Sequence, residues 1–227
     1  MRLARSLSHG IFSRTERPLA IGAWALALLA VGAAGCGPLL PSAPGTVLFQ
    51  DDFSRPATGW ETYDEADFSA AYADGGLRLQ VHSPYSLAWS TPHFDLGDVR
   101  LEADTTAARG PTDNAFGLVC RYRDAANYTF FLMSSDGFSG IGTVRDGQRS
   151  LLTGEAMLPS DFILQGLTSN HLGADCSGPQ LRLYINGALA NEAVSEDVST
   201  GDVGVIVGTY GTPGVEVLFD NFTVSRP

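Results

Sequence analysis

With 227 residues, 44% of them hydrophobic, the chain can bury one substantial core. Its formal charge is −11, and because the first 35 residues carry four Arg against one Glu, the remainder stands at −14. So acidic a surface repels phosphate backbones and anionic headgroups, which excludes nucleic acid as an expected partner.

The chain begins with an address. Met1 to Pro18 holds Arg2, Arg5, Arg14 and Arg17, and an uncharged apolar run follows from Leu19 to Gly35. A basic segment, an apolar segment and small residues, in that order, read as a secretory signal; the run is short for a hydrocarbon core, which needs about 20 apolar residues. Ala33-Ala34-Gly35-Cys36 resembles the lipobox of bacterial lipoproteins, with Ala33 where Leu is usual. The resemblance implies cleavage before Cys36, a diacylglycerol on its thiol, and an extracytoplasmic domain anchored to a membrane. An uncleaved N-terminal membrane helix is the other reading, and it leaves the domain on the same side. Gly37 to Gly45 contains Pro38, Pro41 and Pro44 and no charge, the composition of a semi-rigid spacer. The expected organisation is a signal peptide over 1–35, a lipidated cysteine and tether over 36–45, and one domain over 46–227.

Strand signals dominate that domain. Asp136-Gly137, Asp146-Gly147 and Asn186-Gly187 sit between short alternating segments, a strong hairpin cue. Further strands are expected at LFQDDF, GLRLQV, SLAWS, DVRLEAD, AFGLVCRY, DVGVIVG and VEVLFDNFTV. No stretch has a long capped helical period; Ser160 to Leu167 is the one short helix expected, with Ser160 as its N-cap. About a dozen short antiparallel strands predict an all-β, antiparallel two-sheet jelly-roll sandwich whose first and last strands pair. The order FQDDFS…GWE, DNAFGLVCRY, NYTFFLMSSDGFSGIG, LRLYINGALA, GDVGVIVGTYG and VEVLFDNFTV resembles concanavalin A-like jelly-roll domains. It is most similar to the laminin-G-like and 3-keto-disaccharide hydrolase-type domains of bacterial secreted proteins. The likeness spans Val47 to Val224, implies the fold, and carries no catalytic signature.

With Cys36 lipidated, Cys120 and Cys176 remain. Cys120 alternates with Phe116 and Leu118, and Cys176 with Leu172 and Ala174, so both point to the interior. The expected state in an oxidising compartment is a disulfide; two buried thiols are the alternative.

For chemistry, the glucanase branch of the resembled fold carries Glu-x-Asp-x-x-Glu on one strand face. Here Glu102 and Asp104 are followed by Ala107, so the third acid is missing and the set reads as a solvent-facing row. Scattered His82, His93 and His171 give no zinc spacing. Asp52 and Asp220 would be drawn together by pairing of the terminal strands and are candidate ligands of a structural calcium. In AFGLVCRY, alternation assigns Phe116, Leu118, Cys120 and Tyr122 to the core and Gly117, Val119 and Arg121 to the other face. Gly140, Gly142, Gly204 and Gly208 leave room for a ligand or for sheet curvature. Arg121, with Tyr128 and Tyr210 as stacking rings, is the candidate ligand site, and Trp89 is expected in the core. The expected function is an anchored binding module for carbohydrate or another cell-surface ligand. A glycoside-cleaving enzyme of the 3-keto-disaccharide type and a structural envelope domain are the alternatives.

Overall fold

The computed structural model describes residues 43–56, 58–197 and 199–227; the expected secretory signal and Cys36 lie outside them. The chain forms sixteen strands among these residues. The first eight are β1 (Val47–Asp51), β2 (Tyr63–Asp64), β3 (Phe68–Ala73), β4 (Gly76–Val81), β5 (Leu87–Ser90), β6 (Val99–Arg109), β7 (Asn114–Asp124) and β8 (Asn127–Met133). The others are β9 (Phe138–Arg145), β10 (Gln148–Leu151), β11 (Leu158–Pro159), β12 (Ser169–Ser177), β13 (Gln180–Ile185), β14 (Ala188–Val194), β15 (Asp202–Thr209) and β16 (Val215–Ser225).

They build an antiparallel jelly-roll sandwich. The nine-stranded sheet runs β14-β13-β12-β6-β16-β4-β3-β2, and the seven-stranded sheet runs β10-β9-β8-β7-β15-β5. Long β16 serves two neighbours on one side. Its first half pairs β4, and its second half pairs β1, which joins the chain's first and last strands as expected. On the far edge of the other sheet, β10 and β11 both pair β9. The hairpin signals sit at turns, with Asp146, Gly147, Asn186 and Gly187 all at positive φ, the geometry that suits the strand twist.

Alternation places the core. In β6, Val99, Leu101, Ala103 and Ala107 are buried, whereas Arg100, Glu102 and Asp104 are only half-buried. Leu77, Leu79, Phe219 and Phe222 of the larger sheet meet Phe116, Leu118, Phe131 and Val205 of the smaller. Cys120 of β7 and Cys176 of β12 form a disulfide between the two sheets, with their Cα atoms 6.8 Å apart.

The edge of the seven-stranded sheet is closed by a side chain. The Tyr63 hydroxyl donates to the Trp89 carbonyl at 2.6 Å and accepts from the Trp89 N–H at 3.1 Å. Burial pushes this phenol up to about 12, so it stays a donor.

Ser160 to Leu167 forms turns, not a helix. Asn170 competes for its backbone: its side chain accepts from Leu164 N and donates to Leu164 O. The Ser160 hydroxyl has no partner, so it caps nothing.

Candidate functional site

β7 and β15 are buried almost throughout, although only one face of each points to the core. The other face supports a second apolar cluster of Val119, Tyr128, Phe130, Val144 and Ile206. Glycine makes that cluster possible. On Gly142 a Cβ would stand 2.3 Å from the Phe130 ring, and on Gly208 2.6 Å from Leu87. Part of the room that glycine leaves is therefore filled by neighbouring side chains.

What is left open is a cleft of about 220 Å³ on this outward face. Leu87, Ile206 and Phe130 contribute its apolar floor, Tyr128 and Tyr210 its rings, and Arg149 the only charge among the described lining residues. Tyr128 is 6% exposed and anchored, whereas Tyr210 is 39% exposed at the end of β15. The Tyr210 hydroxyl donates to the Met157 sulfur at 3.6 Å, which fixes the ring at the rim. Burial raises the Tyr128 hydroxyl, and Arg149 beside it pulls the other way. The Tyr210 hydroxyl is raised by burial and then by Asp113, against Arg149. Both phenols therefore remain protonated donors at neutral pH. A neighbouring recess shares Met157 and Tyr210 and adds Asp113, Asp136 and Phe138.

The structure brings Tyr128 and Tyr210 to one cleft but places Arg121 elsewhere. The alternation that put Arg121 outward breaks at a bulge: β7 slips against β15 between Asp202 and Gly204, and Arg121 takes φ +54°. The extra residue exchanges two side chains. Tyr122 turns outward onto the aromatic cluster, and Arg121 turns in toward the end of the sandwich. Only 2% exposed, Arg121 donates to the Gly178 carbonyl at 2.6 Å and to the Asp197 carbonyl, with Asp98 at 3.8 Å. It is a tie between turns, not a surface group. Trp89 also departs from its expected core position: it packs half-buried on the outward face beside Tyr122. Nothing in QRSLL marks one exposed arginine above others; β10 folding beside β9 brings Arg149 to the cleft lining.

Asp52 and Asp220 each bond a group close by in sequence. The Asp52 carboxylate accepts from Ser54 N and Oγ, and Asp220 accepts from Asn221 N. Asp51 instead turns inward and accepts from Phe53 N and Trp60 Nε1. Among the described residues no group of three or more acidic, His or Cys side chains could hold a metal ion. Glu102 and Asp104 lie on the opposite outward face, bonded to Arg100 and His171.

No protein-family model matches the chain, and no curated protein matches its sequence. Solved structures resemble it in fold. A carbohydrate-binding module from Bacillus subtilis superposes with a TM-score of 0.61 at 20% identity, over 74% of this chain and 96% of that one. A Bacillus subtilis protein of unknown function with a galectin-like fold gives 0.60 at 12% identity, over 81% and 97%. A β-glucanase from Bacillus licheniformis gives 0.57 at 13% identity, over 81% and 99%.

Proposed function

We propose that this protein is a membrane-anchored, extracytoplasmic carbohydrate-binding module, with Tyr128, Tyr210 and Arg149 holding the sugar in the outward cleft of the seven-stranded sheet. The observation that carries the reading is the composition of that cleft. An outward sheet face that only meets water is polar; this one offers aromatic rings, an apolar floor and a single guanidinium. Sugars present C–H faces that pack on flat rings and hydroxyls that a guanidinium and phenols can bond. The likeness to a carbohydrate-binding module supports the same reading.

Binding is favoured over cleavage because the two-carboxylate chemistry of glycosidases has no donor on the described cleft lining. The anchor is assigned to Cys36, and the inter-sheet disulfide supports an oxidising compartment. Mass spectrometry of the mature N-terminus should find a diacylated Cys36; an intact Met1 would refute the anchor.

A glycan array followed by calorimetry tests the site. Tyr210→Ala should weaken the best ligand about tenfold, or about 1.4 kcal/mol, with the melting temperature unchanged. Arg149→Ala should act in the same direction. Absence of any glycan ligand, or binding indifferent to both changes, would overturn the proposal.

A further inference from the structure

The cleft opens onto a longer aromatic path. The Tyr128 ring centroid is 5.8 Å from that of Tyr122, which is 6.1 Å from that of Trp89. These rings step from β8 to β7 and then across β15 to β5, the far edge of the seven-stranded sheet. On β15 between them, Ile206 pairs Trp89 and Asp202 pairs Tyr122, with Gly204 in between. A Cβ at Gly204 would stand 2.2 Å from the Ser90 carbonyl oxygen, so no larger residue fits.

Tyr122 and Trp89 are half-buried, and neither belongs to the main core. The bulge at Arg121 is what turns Tyr122 to this face, and the Tyr63 hydroxyl holds the Trp89 backbone from both its donor and its acceptor. The two rings are thus fixed before any ligand arrives, which lowers the ordering cost of binding. A polar rim accompanies them: exposed His93 lies 3.7 Å from half-buried Glu61, and burial first, then the Glu61 charge, raises the Tyr122 hydroxyl. Flat rings with donors and acceptors at their edge repeat the chemistry of the cleft itself.

We propose that Trp89 and Tyr122 form a second stacking subsite, so that the ligand is an oligosaccharide chain laid across β8, β7, β15 and β5, not a lone sugar in the cleft. The inference rests on the carbohydrate reading above. One chain engaging both subsites gains affinity by making the second contact intramolecular.

Tryptophan emission reads this subsite directly. Trp60 is buried with its indole bonded to Asp51, so Trp89 is the tryptophan of the described residues that a ligand on this face can reach. The mature protein and its Trp89→Phe variant would be titrated with gluco-, xylo- and fructo-oligosaccharides of one to six units. Calorimetry would run alongside acrylamide quenching, and the difference between the two proteins isolates Trp89. The expected result is that the preferred hexamer binds at least tenfold more tightly than its monomer and shields Trp89, while the monomer does not. Glu61→Gln and His93→Asn, the latter because His93 stands at φ +66° where Asn is tolerated, should lower hexamer affinity and spare monomer affinity. Equal affinity for monomer and hexamer, or a bound hexamer that leaves Trp89 as quenchable as in the free protein, would overturn the second subsite while Tyr210-dependent binding persists. If no sugar of any length binds, the carbohydrate reading falls and this inference with it.

Discussion

On the outward face of the nine-stranded sheet, Arg100 bonds Glu102 and Asp175 and lies 4.9 Å from the Tyr184 ring centre. Arg78 meets Glu216, and His171 and Asn221 share the Asp104 carboxylate. On the outward face of the seven-stranded sheet the corresponding rows are Tyr128, Phe130 and Leu132, with Val119 and Ile206. Both faces alternate with the same core, yet one is a lattice of paired charges and the other an apolar floor. Partnered polar rows are how a sheet meets water; an apolar row beside an open cleft is prepared for something else. On the proposed reading, stability and binding are assigned to separate surfaces, and that assignment can be attacked.

The largest effect should come from the interior between the faces. Opening the Cys120–Cys176 bridge, 56 residues apart in sequence, should cost about 4 kcal/mol in the chain-entropy account. Denaturant titration of Cys120→Ser with Cys176→Ser measures it, and glycan affinity below the transition should be unchanged. A loss of affinity equal to the loss of stability would show that the binding face is not independent.

Arg121→Ala comes next. It removes a buried guanidinium that ties two turns, so stability should fall by about 3 kcal/mol with binding untouched. Weakened binding at full stability would return Arg121 to the ligand site. On the polar face, Arg100→Ala should cost less than about 1 kcal/mol, and less again in high salt, because its partners are partly solvated. A change in glycan affinity there would erase the distinction between the faces.

The smallest effect is one of pH. Burial acts to raise the Asp104 carboxyl, but bonds from His171 and Asn221 outweigh it and hold the group below its ordinary 3.8. A depressed folded value stabilises above that pH, and the contribution is lost as pH falls through the lower, folded value. His171→Ala should therefore flatten the acid side of the melting-temperature profile. The effect should stay below about 0.5 kcal/mol, since both partners are about half exposed.

Much of this architecture was legible in the sequence. Hairpin signals and about a dozen short strands predict the sandwich, and alternation around Cys120 in β7 and Cys176 in β12 turns both cysteines inward. The candidate site was legible only in part. Tyr128 and Tyr210 sit where their strands suggest, but Arg121 and Tyr122 exchange faces at one positive φ, and a bulge with no glycine at the bulged position leaves no local signal. Trp89 alternates with Leu87, and the two share the outward face, since alternation groups residues without saying which group is inside. Arg149 depends on where a separate hairpin folds, which no window of neighbouring residues encodes.

The Tyr63 hydroxyl has a consequence for how the protein behaves in company. By meeting both the N–H and the carbonyl of Trp89 it does for an edge what another strand does elsewhere: it ends the sheet. Without it, a matched donor and acceptor on β5 would face the solvent, the template onto which any extended segment of a neighbouring chain can add. Tyr63→Phe should thus leave the monomer folded and make it sticky, so that one oxygen atom acts as a guard against self-association.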